Sequence, residues 1–126
     1  MKMISTNNAP AAIGPYSQAV KTGSFMFLSG QLPIDPRTNT IEAKDVQGQT
    51  KQIMENIKAI LLAEGLSLNN IVKTTIFISD MNNFTKVNDI YSSYLGDHRP
   101  ARSMVEVSRI PKDSMVEIEV LASMDK

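Results

Sequence analysis

The sequence predicts an α+β fold in which two helices cover one face of a mixed sheet. Strand-like and helix-like segments follow one another in the order β-β-α-β-α-β-β. The two helix-like segments carry their apolar residues on one side only. The strand-like segments are rich in β-branched and aromatic residues. Two amphipathic helices and a sheet bury their apolar sides most simply by packing against each other.

The composition limits the possible functions. The chain has 126 residues, and we expect one domain, residues 1–126. Because it has no cysteine, a disulfide scaffold, a thiolate zinc site and a cysteine nucleophile are excluded. Thirteen basic residues balance thirteen acidic ones, which argues against a nucleic-acid partner and favours self-association. No signal peptide or membrane span is predicted, so the expected location is cytoplasmic.

The first third of the chain predicts loops around a hairpin. Residues 5–15 are rich in Asn, Pro and Gly, which is typical of an ordered loop or arm. Residues 18–21 and 25–29 are strand-like and flank a glycine turn at residues 22–24, so we expect a hairpin there. Residues 32–43 contain prolines and an asparagine and predict a second loop.

Two helices and a strand follow. The stronger helix signal covers residues 45–64, with Asp45 as N-cap and Gly65 as C-terminal stop. Residues 71–79 predict a strand. A second helix is expected to end at about Leu95, with Asp80 or one of the asparagines that follow it as its N-cap. The two apolar stripes consist of Val46, Thr50, Ile53, Ile57, Ile60 and Leu61, and of Phe84, Val87, Asn88, Tyr91, Tyr94 and Leu95.

Two strands end the chain, at residues 101–107 and 115–122, with a turn at residues 111–113 between them. In the last strand three β-branched residues alternate with Glu117 and Glu119, so the two kinds of side chain point to opposite faces. The apolar face suits the helices. The other face mixes apolar and charged groups, which is typical of a subunit interface that lines a cleft.

Arg102 is the first candidate site residue. It lies at the start of a short strand, directly after a proline-containing loop, where ligand-binding groups often emerge. Its planar fork of donors matches a carboxylate bidentately. A solvated arginine in a salt bridge at the surface is the alternative interpretation.

Glu117 is the second candidate, in the strand segment that also holds Glu119. Glutamate is disfavoured in strands, and two like charges on one face repel each other. A glutamate among apolar groups has a shifted pKa and is suited to act as a general base. A wet, half-exposed face is the alternative, and patterning alone does not choose between the two glutamates.

Four further positions are candidates for lining a site. Asn88 interrupts an apolar helix stripe, so its amide needs partners from the backbone or from a ligand. Tyr16 follows a Gly-Pro pair and either covers a ligand or packs on the sheet edge. Ser29 and Gly30 end a strand, where glycine permits close approach of a ligand or makes a bulge. His98, the single histidine, is interpreted as a loop residue.

Six motifs in order resemble a known family over about residues 9–122. They are Gly14-Pro15-Tyr16-Ser17-Gln18-Ala19, Phe27-Leu28-Ser29-Gly30-Gln31, Gln49-Thr50 before Asn56-Ile57, Val87-Asn88 before Tyr91, Arg99-Pro100-Ala101-Arg102-Ser103, and Pro111 with Val116-Glu117-Ile118-Glu119. Together they resemble the RidA/YjgF family of reactive-intermediate imine deaminases.

The resemblance implies a chorismate-mutase-like fold and a homotrimer with a central barrel. It also implies three sites in clefts between subunits. The implied reaction is hydrolysis of 2-imino acids, such as 2-iminobutanoate and 2-iminopropanoate, to 2-keto acids and ammonia, without metal or organic cofactor. Such imines are released by pyridoxal-phosphate enzymes such as threonine dehydratase.

The resemblance also assigns roles to residues. It places the carboxylate-binding arginine on Arg102 and the water-positioning glutamate on Glu117. Its site-lining positions fall on Tyr16, Ser29, Gly30 and Asn88. Many family members carry a cysteine where this chain has Met104, and we expect a main-chain contribution to substrate binding there. Any thiol-dependent role is excluded for this chain.

Two rival functions are considered. One is a non-catalytic trimer that senses small keto acids, which would need the arginine but not the glutamate. The other is an RNA-acting translation inhibitor, against which the zero net charge, the single histidine and the lack of an aromatic–basic stripe all argue.

Overall fold

A computed structural model describes residues 1–125. Its main elements are β1 (Lys2–Ile4), β2 (Ala19–Thr22), β3 (Phe25–Gln31), α1 (Val46–Leu62), β4 (Ile71–Ile78), α2 (Phe84–Leu95), β5 (Ala101–Glu106) and β6 (Val116–Ser123). The predicted fold class, α+β with two helices on a mixed sheet, is confirmed. One strand, β1, was not predicted. Three residues at a sheet edge are too few to show a period of two.

The sheet has the strand order β1-β2-β3-β6-β4-β5. All neighbouring pairs are antiparallel except β4 and β5, which are parallel. Helix α2 connects these two parallel strands, as a crossover connection requires. The register of β3 against β6 shifts between Leu28 and Gln31, so β3 contains a bulge at this point.

The core lies between the helices and one face of the sheet. All six residues of the predicted α1 stripe are buried. In α2 the buried residues are Val87, Tyr91 and Leu95. The expectation that Phe84 belongs to the buried stripe is wrong, because its side chain is 39% exposed. On the sheet, Val116, Ile118 and Val120 face the core as predicted.

Both helices begin as the sequence predicts. The Asp45 side chain accepts a hydrogen bond of 2.7 Å from the Gly48 amide and caps α1. Asp80 caps a 3₁₀ turn at Met81–Asn83 that leads into α2. Gly65 has a φ of +73°, a left-handed conformation that favours glycine after a helix.

The loop between β3 and α1 is held by a buried amide. Asn56 Nδ2 donates hydrogen bonds to the main-chain oxygens of Leu32 and Ile34, at 3.1 and 3.0 Å. An unpaired buried carbonyl costs roughly 1–3 kcal/mol, so this amide fixes the chain that follows β3. Within residues 1–125, no helix has the length and apolar character needed to cross a membrane.

Candidate active site

Arg102 lies on β5 and is held by three residues of α2. Its Nη1 donates a hydrogen bond of 2.7 Å to Asn88 Oδ1. Its guanidinium carbon lies 5.3 Å from the ring centroid of Tyr91 and 5.7 Å from that of Phe84. These three residues lie on successive turns of the helix, on one side. The contacts fix the guanidinium through an amide oxygen and two aromatic faces.

The remaining donors of Arg102 are free to bind a ligand. Among residues 1–125, no carboxylate lies within 4.0 Å of its guanidinium, and no acceptor there bonds to Nε or Nη2. The adjacent cleft has a volume of about 460 Å³. It is lined by Asn88, Tyr91, Ser92, Leu95, Arg99, Pro100 and Arg102. A cation with free donors beside an open cleft is suited to a small carboxylate.

Glu117 lies on β6, which is the neighbour of β4 on the side away from β5. It pairs with Phe77 of β4, and its carboxylate lies against Gly30 of the β3 bulge. A Cβ atom placed on Gly30 would lie 2.0 Å from Glu117 Oε2, so only glycine leaves room for the carboxylate. Partial burial raises the pKa of Glu117, and the nearby charge of Glu119 adds to this effect.

Glu119 has a different environment from Glu117, although both point to the same face. Its side chain is exposed, whereas that of Glu117 is half-buried. Glu119 pairs with Thr75 of β4. Its main effect on Glu117 is the repulsion between the two carboxylates. Of the two glutamates, Glu117 therefore has the environment that a general base requires.

The segment before β2 brings Tyr16 close to Gly30. Both residues line one small cavity at the end of β3. Ser29 holds this segment, since its Oγ donates to the Ser17 oxygen at 2.7 Å and its amide donates to the Gln18 oxygen at 3.0 Å. The Tyr16 side chain is half-exposed. Tyr16, Ser29, Gly30 and Glu117 therefore form one group of neighbours.

Within one chain, Arg102 and Glu117 lie on opposite faces of the sheet. Arg102 pairs with Thr74, whose hydroxyl contacts the Tyr91 hydroxyl at 2.8 Å and so faces the helices. Glu117 pairs with Phe77, three positions further along β4. Because side chains alternate along a strand, an odd separation places these positions on opposite faces. The structure thus brings Arg102 together with Asn88 but not with Glu117.

The other candidates are placed as follows. Met104 pairs with Ile76 on the helix-facing side and packs partly against the core. His98 lies in the loop after α2, as predicted, and its Nε2 is 2.7 Å from the Ile71 oxygen. Within residues 1–125, no three His, Asp or Glu side chains come together as a metal site.

Two residues with clear structural roles at the site were not singled out from the sequence. Phe84 lies over Arg102, whereas its helical spacing predicts a place in the buried stripe of α2. Gln18 is buried, and its Nε2 donates to the oxygens of Thr6, Ala9 and Pro10. In the sequence it opens a predicted strand and belongs to the first of the six motifs, but neither signal indicates its buried hydrogen bonds. Through these bonds Gln18 fixes the arm that precedes Tyr16.

Fold and site define a small α+β protein with an arginine-lined cleft on one sheet face and a half-buried glutamate on the other. The family model described as Endoribonuclease L-PSP matches residues 6–124. The chain belongs to this family, which is the RidA/YjgF family that its motifs resemble.

Relatives with known names or structures are similar over nearly the whole chain. A RutC family protein of Pyrococcus horikoshii is 54% identical, with 96% of each chain covered. A 2-iminobutanoate/2-iminopropanoate deaminase of Salmonella typhimurium is 52% identical, again with 96% of each chain covered. The crystal structure of E. coli TdcF with bound serine has a TM-score of 0.93 at 48% identity, with 98% of each chain covered.

Proposed function

We propose that this protein is a deaminase of small 2-imino acids, such as 2-iminobutanoate and 2-iminopropanoate. The observation that carries the proposal is the guanidinium of Arg102, which lies beside an open cleft with free donors and no carboxylate partner within residues 1–125. The name of the Salmonella relative, at 52% identity, supports the same reaction. In this proposal Arg102 anchors the substrate carboxylate and Glu117 positions and activates water.

The reaction follows from these two groups. Arg102 pairs with the carboxylate and fixes C2 of the imine near a water held by Glu117. Glu117 takes a proton from the water as the oxygen attacks C2, and the C=N π electrons move to nitrogen. Glu117 then returns this proton to the nitrogen. As the C–N bond breaks, its electron pair leaves with ammonia, the C=O bond of the 2-keto acid forms, and the hydroxyl proton passes through Glu117 to ammonia, which leaves as ammonium. The protonated imine is already electrophilic, so one positioned base is sufficient.

We further propose that the site forms between two copies of the chain in a homotrimer. The opposite orientations of Arg102 and Glu117 support this, because a small imine cannot reach both side chains across the sheet of one copy. One copy contributes Arg102 with Asn88 and Met104. The next copy contributes Glu117 together with Tyr16, Ser29 and Gly30. The trimer itself is taken from the family resemblance.

A coupled assay tests the function directly. Threonine dehydratase generates 2-iminobutanoate, and ammonia release is followed with and without the protein. Arg102→Ala is expected to lower the rate enhancement on the order of 100-fold or more, since the charged anchor is lost. Arg109→Ala is the matched control, because Arg109 is exposed and pairs with Asp113. An unaltered rate in Arg102→Ala refutes the assignment of the anchor.

The choice of base has its own control. Glu117→Gln is expected to lower kcat more than it raises KM, whereas Glu119→Gln retains activity at neutral pH. Equal losses in the two variants contradict the assignment to Glu117. A non-catalytic sensor of keto acids would bind 2-oxobutanoate without accelerating ammonia release, so the wild-type rate separates these two functions.

Mixing inactive variants tests whether the site is shared. Arg102→Ala and Glu117→Gln chains are unfolded together, refolded and assayed. In randomly mixed trimers about a quarter of the sites receive both native residues, so activity returns to about a quarter of the wild-type value. No recovery, in mixtures that are shown to exchange subunits, contradicts a shared site.

The description of the family model, Endoribonuclease L-PSP, names a second candidate function. The zero net charge and the single histidine, whose ring contacts the Ile71 oxygen, argue against RNA cleavage by this chain. An RNA shift assay at low and high salt, with nuclease-free protein, tests it. Salt-dependent binding followed by cleavage supports this second function.

A further inference from the structure

The cleft beside Arg102 contains a second arginine, Arg99. It lies in the loop after α2 and lines the same cleft. The polar groups that share the cleft with the two arginines are the side chains of Asn88, Tyr91 and Ser92, all from α2. No acidic side chain of the described residues lines it. The cleft therefore holds two positive charges without a balancing negative charge from its own walls.

Arg99 is oriented by the C-terminal end of α2. Its Nη1 donates to the oxygens of Gly96 and His98, at 2.5 and 2.8 Å. These bonds use one nitrogen of the guanidinium. Nε and Nη2 have no acceptor within residues 1–125, and no carboxylate there lies within 4.0 Å. The exposed side chain is thus held by the loop at one nitrogen and keeps its other donors free.

The charges of Arg102 and Arg99 both affect the pKa of the buried Tyr91 hydroxyl. Burial raises the pKa of Tyr91, and the charges of Arg102 and Arg99 oppose this effect. Tyr91 is 5% exposed and lies at the floor of the cleft, with its ring 5.3 Å from the guanidinium carbon of Arg102. The two positive charges therefore converge on one small volume of about 460 Å³.

We propose that Arg99 binds a second carboxylate of the substrate, so that the protein accepts 2-imino dicarboxylates as well as 2-imino monocarboxylates. This inference rests on the proposed function, in which Arg102 binds the carboxylate next to the imine carbon. A carboxylate at the far end of the substrate side chain then meets the free donors of Arg99. The imines that oxidation of aspartate or glutamate produces have this arrangement of charges.

A purely structural role for Arg99 gives a different expectation. A cation at a helix C-terminus stabilises the helix through the exposed main-chain oxygens. In that case a neutral glutamine, which still donates hydrogen bonds, changes stability slightly and changes ligand selectivity not at all. The selectivity between a monoanion and a dianion therefore separates the two roles.

The test measures competitive inhibition of 2-iminobutanoate deamination by two stable keto acids, 2-oxobutanoate and 2-oxoglutarate. In the wild type, the inhibition constant of 2-oxoglutarate is expected to be about tenfold lower, since its second carboxylate gains a charge-assisted contact. Arg99→Gln brings the ratio of the two constants close to one. Arg109→Gln removes an equal charge far from the cleft and keeps the wild-type ratio.

Three outcomes overturn the inference. The first is a ratio of the two inhibition constants near one in the wild type. The second is the wild-type ratio in Arg99→Gln. The third is dissociation of the assembly in Arg99→Gln, which indicates a role at an interface. A different result would show that the proposed function is wrong: the wild-type protein would not accelerate ammonia release. In that case calorimetric titration with 2-oxoglutarate and 2-oxobutanoate still tests the second arginine.

Discussion

The candidate site has two halves. The helix-facing half consists of Arg102 and the residues around it, and the open-face half consists of Glu117 and the residues around it. The two halves differ in how completely one chain builds them. Arg102 has a hydrogen bond to Asn88 and two aromatic faces around it. Glu117 lies against the main chain of Gly30, and no donor within residues 1–125 bonds to its carboxylate. The binding half is thus preorganised in a single copy. In the open-face half, the partly desolvated Glu117 carboxylate is left for the next copy of the proposed trimer to complete.

Among variants that keep both Arg102 and Glu117, the largest effect is expected from Gly30→Ala, which breaks the open-face half. The new Cβ atom would lie 2.0 Å from Glu117 Oε2, so the carboxylate must move. Displacement of a catalytic group by about 1 Å costs on the order of 100-fold in rate. We expect a loss of this size in kcat, with 2-oxobutanoate binding retained. Equal losses in kcat and in binding would place Glu117 in the binding half instead.

A smaller effect is expected from Asn88→Ala, which loosens the helix-facing half. The variant removes the 2.7 Å hydrogen bond to Arg102 but leaves the charge in place. A hydrogen bond to a charged group contributes about 1.5–3 kcal/mol, so KM is expected to rise about tenfold or more while kcat changes little. Asn82→Ala, in the preceding 3₁₀ turn, is the control. A fall in kcat alone contradicts the positioning role.

Phe84→Leu sharpens the comparison further, because it removes only the aromatic face. A cation–π contact at an exposed site contributes about 0.5–1 kcal/mol, which corresponds to roughly a threefold rise in KM. Phe84→Tyr retains the ring and is expected to restore the wild-type KM. If leucine and tyrosine behave alike, the ring acts through its bulk and not through its π face.

The smallest effect is a shift in pH dependence in Glu119→Gln. The proposed reaction needs Glu117 as a carboxylate, so the rate falls as the pH falls through the pKa of this group. The charge of Glu119 is one cause of the raised pKa of Glu117. A neutral glutamine therefore lowers that pKa and moves the acid limb of kcat to lower pH. A shift to higher pH, or none, contradicts this coupling.

The sequence predicts the elements well because each has a local signal. Asp45 and Gly65 mark the ends of a helix, and the alternation from Val116 to Val120 marks a strand with one apolar face. The three-residue strand β1 carries no such signal and was not predicted. Phe84 was assigned to the core because helical spacing is shared by buried residues and by residues that cover a neighbouring side chain.

The site is less predictable than the fold because its geometry depends on pairing between distant strands. Alternation places Glu117 and Glu119 on one face but does not choose between them. The bulge that brings Gly30 against Glu117 separates their environments. The opposite orientation of Arg102 depends on β4 lying between β5 and β6, an order that is not consecutive in sequence.

The odd separation of Thr74 and Phe77 on β4 has a consequence for how activity depends on protein concentration. A shift of one position in the pairing of Arg102 with Thr74, or of Glu117 with Phe77, would turn the apolar side chains of that strand out of the core. A local change therefore cannot bring Arg102 and Glu117 to one face. In the proposed trimer, catalysis is therefore linked to association by mass action. Specific activity should stay constant above the dissociation constant of the assembly and decline steeply below it, while each diluted chain keeps its arginine cleft.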